Sequence, residues 1–264
     1  RLRSFGNHII EPAEGELASH LVGKGRMEEP DKIIAVLEEF FASRTALEKK
    51  KIVITAGPTY EKIDPVRFIG NHSSGKMGFD IALSAANLGA SVILVSGPTH
   101  CKVSNPLIKV VSVVSAEEMY IACHQFYADV DVAIAAAAVA DYRPKNVAQQ
   151  KIKKAADDFV IELEKTKDIL ASLGEQKKNQ FLIGFALETE NEIENAKLKI
   201  QKKNLDLIVL NSLQDQGAGF SKPTNKVTFI DKFFNIEPME LKTKEAVADD
   251  ILNKVISHFG ILQS

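Results

Sequence analysis

Lys51-Ile52-Val53-Ile54-Thr55, turning through Ala56-Gly57-Pro58-Thr59 and followed further on by Asn71-His72-Ser73-Ser74-Gly75-Lys76-Met77-Gly78, is the stretch on which the fold turns. The first five residues read as a buried strand. Met77, Phe79, Ile81, Ala82, Ala85 and Ala86 recur at helical spacing, so a helix is expected from near Ser74. Serines and glycines at a helix start expose backbone N–H groups, which attract phosphate or a developing negative charge. The plainer alternative is that Ser73 caps the helix. On these residues alone the two readings carry equal weight.

Outward from this unit the chain alternates. Strands are expected at 51–55, 91–96, 109–113, 131–137, 159–163, 181–186 and 206–210. Helices are expected near 75–88, 116–127, 168–176, 190–203 and 243–259. Apolar strands alternating with helices define an α/β chain with a mostly parallel sheet covered on both faces. Residues 226–230 and 235–241 read as a small late β-hairpin. Residues 1–30 are polar and lack a period, 30–41 form a short amphipathic helix opened by Pro30, and 43–51 are a charged linker. The expected division is a tail and linker over 1–48 and one domain over 49–264.

Composition narrows the function. Among 264 residues, 33 Lys and Arg face 35 Asp and Glu, which argues against a general nucleic-acid surface. No apolar run has transmembrane length, so no membrane role is expected. Cys101 and Cys123 lack CxxC spacing and read as reduced thiols of a cytoplasmic protein. The histidines show no tight ligand pattern, and metal ligands are unknown from the sequence. The chain opens Arg1-Leu2-Arg3, as expected of a piece of a longer protein or a processed chain.

Two nucleotide motifs are near misses. Gly70 to Lys76 fits a P-loop as far as its lysine, but Met77 stands where Ser or Thr should hold magnesium. The Rossmann glycine fingerprint is missing after the first strand; Gly217-Ala218-Gly219 lacks a third glycine, and Gly23-Lys24-Gly25 lies in the tail. Ligands of such sheets bind at the carboxyl ends of the strands. That filter gathers Asn71 to Lys76, Ala138 to Arg143, Phe185, Glu188 and Asn211. Ala135-Ala136-Ala137-Ala138 leaves space at a strand end, with Asp141 following as a hydrogen-bond acceptor. Tight helix–sheet packing is the plainer explanation of the alanines. Lys151-Ile152-Lys153-Lys154 is either a solvated face or a mobile arm bringing ammonium groups to phosphates. Lys199 and Lys203 share a helix face, as a surface pair or a phosphate clamp.

Ile54-Thr55-Ala56-Gly57-Pro58-Thr59, Ile63-Asp64-Pro65-Val66-Arg67-Phe68-Ile69, Asn71 to Gly78, Ala137 to Arg143, the Lys151 cluster and Lys203-Asn204-Leu205-Asp206 together resemble phosphopantothenoylcysteine synthetase. The likeness covers residues from about Lys50 onward. In the tail, Gly15-Glu16-Leu17-Ala18-Ser19, Gly23 to Met27 and Glu29-Pro30 resemble the end of the flavin-dependent phosphopantothenoylcysteine decarboxylase. This domain precedes the synthetase in the bifunctional bacterial coenzyme A protein. The tail is therefore expected to be a remnant of that domain, with FMN belonging only to its missing part. Ser19 stands where the family often has a cysteine.

The resemblance implies a Rossmann-like fold and a ligase that joins 4′-phosphopantothenate to cysteine using CTP and Mg2+ through an acyl-cytidylate. It implies catalytic roles for Lys151 in activation and Asn71 in amide formation. It places the nucleotide against Asp141, Lys151, Lys167, Asp168, Ile169, Leu170, Phe185, Lys199 and Lys203. It places substrate and acyl-nucleotide against Asn71, Ser73, Ser74, Gly75, Ala137 and Ala138. The family usually has proline where Lys167 stands. Arg67 belongs to a segment near the family's dimer interface, so a homodimer is expected, and a larger homo-oligomer for the full-length protein. The alternatives are an NAD-type oxidoreductase on the same sheet, against which the missing fingerprint counts, and a nucleotide-binding regulatory module.

Overall fold

The computed structural model describes residues 1–5, 7–16, 22–153, 159–188, 190–212 and 224–261. Ser19, Lys154 and Gly217 to Gly219, singled out above, lie outside them.

The central sheet has eight strands: β1 (Lys51–Ala56), β2 (Ser91–Ser96), β3 (Ile108–Ser112), β4 (Val132–Ala135), β5 (Phe181–Glu188), β6 (Leu207–Ser212), β7 (Val227–Asp231) and β8 (Ile236–Pro238). Their spatial order is β8-β7-β6-β5-β4-β1-β2-β3. The first six pair in parallel, and β7 and β8 continue antiparallel beyond β6. The parallel part thus runs 3-2-1-4-5-6, a doubly wound order that reverses between β1 and β4.

The helices are α1 (Pro30–Arg44), α2 (Lys76–Asn87), α3 (Ala116–Tyr127), α4 (Ile169–Gln176), α5 (Glu192–Lys202) and α6 (Lys244–His258). Strand side chains alternate between the two faces. Ile52 and Ile54 of β1 join the core formed with α2 and α6. Val53 joins the opposite core with α3, α4 and α5. Burial on both faces explains the nearly unbroken apolar runs of β1 and β5. Capping sets the helix starts: Ser115 accepts from Glu118 N at 3.2 Å, and Thr243 from Ala246 N at 3.2 Å.

Three expectations change. The strand expected at 159–163 is instead Leu163–Lys165. It pairs antiparallel with Tyr142–Pro144 in a ribbon separate from the main sheet. Phe159 and Val160 are exposed, so their apolar character does not report a core strand. The helix expected from near Ser74 starts at Lys76, because Gly75 takes a left-handed φ of 79° as its N-cap. The tail is not devoid of structure: Ala13–Glu16 pairs with Val22–Arg26. Among the described residues the buried core nonetheless begins only at Leu47.

Candidate active site at the switch point

The crevice opens where β1 and β4 diverge. Past the strand ends, Ala138 N donates to Gly57 O at 2.9 Å and Thr59 N to Ala138 O at 3.3 Å. Threonine hydroxyls fasten the alanine run from the side. Thr55 Oγ1 accepts from Ala137 N at 3.1 Å, and Thr59 Oγ1 from Ala140 N at 2.9 Å. The alanines therefore present backbone and methyl groups to the crevice.

A short ribbon, Tyr60–Lys62 with Phe68–Gly70, leads directly to Asn71. Its side-chain amide donates to Val139 O at 3.0 Å and approaches Ala138 O at 3.4 Å. Next comes the start of α2. The helix has no side-chain cap; Ser73 Oγ accepts from Gly75 N at 3.3 Å, and Ser74 Oγ from Lys76 N at 3.4 Å. A Cβ on Gly75 would lie 3.3 Å from Gly57 N, so the two turns touch. Lys76 is not a P-loop lysine: its ammonium pairs with Asp80 at 2.9 Å and with Glu245.

Two cavities meet here. The first, of about 320 Å³, is bounded by Asn71, Ser73, Ser74 and Gly75 on one side and by Ala137 and Ala138 on the other. The second, of about 470 Å³, runs over Lys167, Asp168, Ile169, Leu170 and Lys203. Ala137, Val139, Asp141 and Phe185 border both. In the second cavity Asp168 caps α4, accepting from Ala171 N at 2.9 Å, and pairs with Lys203 at 2.8 Å. Burial works to raise the Asp168 carboxyl. The Lys203 ammonium and the Ala171 N–H outweigh it and hold the group below its ordinary range. Lys167 is drawn to the rim by Glu117 at 2.7 Å and lies over the Tyr120 ring at 4.7 Å.

Lys151, Lys199 and Arg67 border neither cavity. Lys199 pairs with Glu188, and Lys151 is exposed. Arg67 is bound within its own chain, to Asp64 at 3.0 Å. The sequence reading missed Lys244 and Asn225, which line the first cavity and are each 5% exposed. Burial pushes the Lys244 ammonium down, the Asp80 carboxylate opposes this, and Lys76 adds to it. Neither residue belongs to a local pattern; only the close of the fold brings them to Asn211, whose Oδ1 accepts from Asn225 Nδ2 at 3.1 Å. Among the described residues, no group of three or more His, Cys, Asp or Glu could hold a metal, and no helix is long and apolar enough to cross a membrane.

A doubly wound α/β domain with a crevice at its switch point has the architecture in which such sheets bind their ligands. Residues 47–259 match the model of the DNA/pantothenate metabolism flavoprotein C-terminal domain, and the chain belongs to that family. It is 52% identical over 261 residues to a protein named cysteine/cysteine sulfinic acid decarboxylase, from an unknown prokaryotic organism. That alignment covers 97% of this chain and 73% of the relative. It is 46% identical over 252 residues to the coenzyme A biosynthesis bifunctional protein CoaBC of Bacillus subtilis (strain 168), covering 95% of this chain but 62% of that protein. A crystal structure of the C-terminal domain of a CoaBC protein superposes with a TM-score of 0.70 at 48% identity. The superposition covers 82% of this chain and 98% of that one.

The reading of the tail as a decarboxylase remnant is corrected by these findings. The family match is to the C-terminal domain and starts at residue 47, where the buried core also starts. The decarboxylase part is absent from the sequence in hand, and no flavin is assigned to it.

Proposed function

We propose that this domain is a phosphopantothenate–cysteine ligase that consumes CTP. The observation that carries the proposal is the junction of two cavities along the shared wall of Ala137, Val139, Asp141 and Phe185. Activating a carboxylate with a nucleotide needs two anionic substrates held side by side at one point. The second cavity, with Lys203 and Asp168, takes the nucleotide. The first, with Asn71 and the α2 start, takes the acid.

In the first step a carboxylate oxygen of 4′-phosphopantothenate attacks the α-phosphorus of CTP and pyrophosphate leaves. Lys151, which borders neither cavity, is assigned by the resemblance to offset the like-charge repulsion between the two anions from the arm that carries it. In the second step the free amine of cysteine attacks the acyl carbon. CMP departs with the bridging oxygen, and the new amide nitrogen gives up its surplus proton. Negative charge builds on the acyl oxygen, and Asn71 is assigned to stabilise it. Its tether to Val139 O orients the amide before reaction, which is where such stabilisation gains its strength. Magnesium belongs to this reading as a companion of the triphosphate, since the described residues form no cage for it.

CoaBC names and the matched domain support the ligase reading. The chain spans 62% of the Bacillus protein, and the other activity of that bifunctional protein is not carried over. A homodimer is part of the proposal by resemblance, as is a cytoplasmic setting, with which the free Cys101 and Cys123 agree. The test is pyrophosphate release with 4′-phosphopantothenate, cysteine and magnesium, run in parallel with CTP and ATP. Release with CTP that depends on phosphopantothenate is expected. Release only with ATP would overturn the nucleotide, and release with neither would overturn the ligase.

A further inference from the structure

Asp64 is 1% exposed, yet it lies in the short turn of the ribbon that leads to Asn71. Its carboxylate is fully used. Oδ1 accepts from Val66 N and Arg67 N, both at 2.8 Å. Oδ2 accepts from Arg67 Nη1 at 3.0 Å and from Ile152 N at 3.2 Å. The last bond leaves the turn and reaches the residue next to Lys151. Two more bonds make the same crossing: Arg67 Nη1 donates to Ile152 O at 3.3 Å, and Ala148 N to Ile63 O at 3.0 Å. Both backbone groups of Ile152 are therefore held by one Asp–Arg pair. Burial opposes ionisation of Asp64, and the N–H groups of Val66, Ile152 and Arg67 with the guanidinium overcome it, so the acceptor stays charged at neutral pH.

We infer that Asp64 is a positioning residue, a clasp that fixes the arm bearing Lys151 to the ribbon bearing Asn71. This rests on the ligase reading, in which Lys151 serves activation and Asn71 serves amide formation. Asn71 borders the first cavity and Lys151 borders neither, and the clasp sets their relative placement. A turn that needed only its own stability would be satisfied by the bonds to Val66 and Arg67. The bond to Ile152 reaches outside the turn and joins it to the arm.

The experiment is Asp64→Asn, alone and combined with Lys151→Gln, in the CTP-dependent reaction. The amide keeps an acceptor for the turn and turns N–H groups toward Ile152 N and Arg67. Misplacing the arm should slow pyrophosphate release on the order of 10–100-fold at saturating substrates. The KM for cysteine should hold, and Lys151→Gln should add little further loss, because both changes act through one ammonium group. A wild-type rate in Asp64→Asn, or losses that multiply, would overturn the clasp. If Asp64→Asn does not fold, Ile152→Pro removes the crossing N–H, while also fixing φ at 152 and restricting Lys151, and should show the same non-additivity.

Trypsin gives a readout independent of catalysis. Cleavage after Lys151 and Lys153 in the native protein should quicken in Asp64→Asn, and an unchanged cleavage rate would overturn the clasp. Inactive wild-type protein with quickened cleavage would overturn the ligase reading while keeping the clasp.

Discussion

The side-chain amide of Asn71 lies 3.0 Å from the carbonyl oxygen of Val139, joining the end of one loop to the wall of the crevice. A carboxylate at position 71 would face that carbonyl as a second acceptor and lose the donor. In Asn71→Asp, activation by CTP should persist while amide formation slows by roughly 10²–10³-fold, as for loss of one preorganised donor. Acyl-cytidylate should then accumulate and be visible by mass spectrometry of quenched reactions. Loss of activation itself would remove Asn71 from the second step.

Asp168 combines a helix cap with an ion pair to Lys203. Asp168→Ala should cost about 1 kcal/mol through the lost cap. The corresponding fall in Tm is about 2–4 °C. The exposed half of the ion pair adds little to that. The folded carboxyl titrates below its unfolded value, so its stabilisation is complete above the unfolded pKa of about 4 and fades as pH falls through the lower folded value. The wild-type-minus-variant difference in Tm should stay constant from neutral pH down to about 5 and shrink below about 4. A difference that grew on acidification would contradict the pairing.

Gly78 lets α2 lie directly on β1. A Cβ there would come 2.6 Å from Ala56 Cβ and 2.9 Å from Thr55 O. Gly78→Ala should destabilise the domain by about 1–3 kcal/mol through overpacking, despite alanine's better helix propensity. Urea unfolding measures this; a stabilised variant would show that the contact is loose.

The two thiols should part company. Burial pushes Cys123 up to about 12, whereas Cys101 is half-buried, with Sγ 3.3 Å from Ser74 O. A thiol reagent at pH 8 should modify Cys101 in the native protein and reach Cys123 only on unfolding. Because Ser74 borders the first cavity, a bulky adduct on Cys101 should also slow turnover. Equal labelling of both thiols would contradict the core packing around Cys123.

The sheet was legible because its strands are buried on both faces: β1 and β5 show it as apolar runs that no exposed strand would carry. The strand-end rule brought Asn71, Ala138, Asp141 and Phe185 to one edge, and all four border the first cavity; their roles there rest on the resemblance. Leu163–Lys165 was misread because its partner, Tyr142–Pro144, lies outside the sheet, and a two-stranded ribbon leaves no periodic burial to read. Lys244 and Asn225 were invisible for another reason. A lysine at a helix start reads as solvated, and only the docking of α6 on α2 buries it beside the crevice. Asp64 was quoted as part of a motif, but its bond to Ile152 spans 88 residues and has no local signal.

The most direct measurement follows an oxygen atom. Turnover of 4′-phosphopantothenate carrying 18O in its carboxylate, with CTP and cysteine, should leave one labelled oxygen in each CMP formed. The bridging oxygen of an acyl-cytidylate departs with the phosphorus. Unlabelled CMP, or label in inorganic phosphate beside CDP, would contradict attack at the α-phosphorus and with it the assignment of the two cavities.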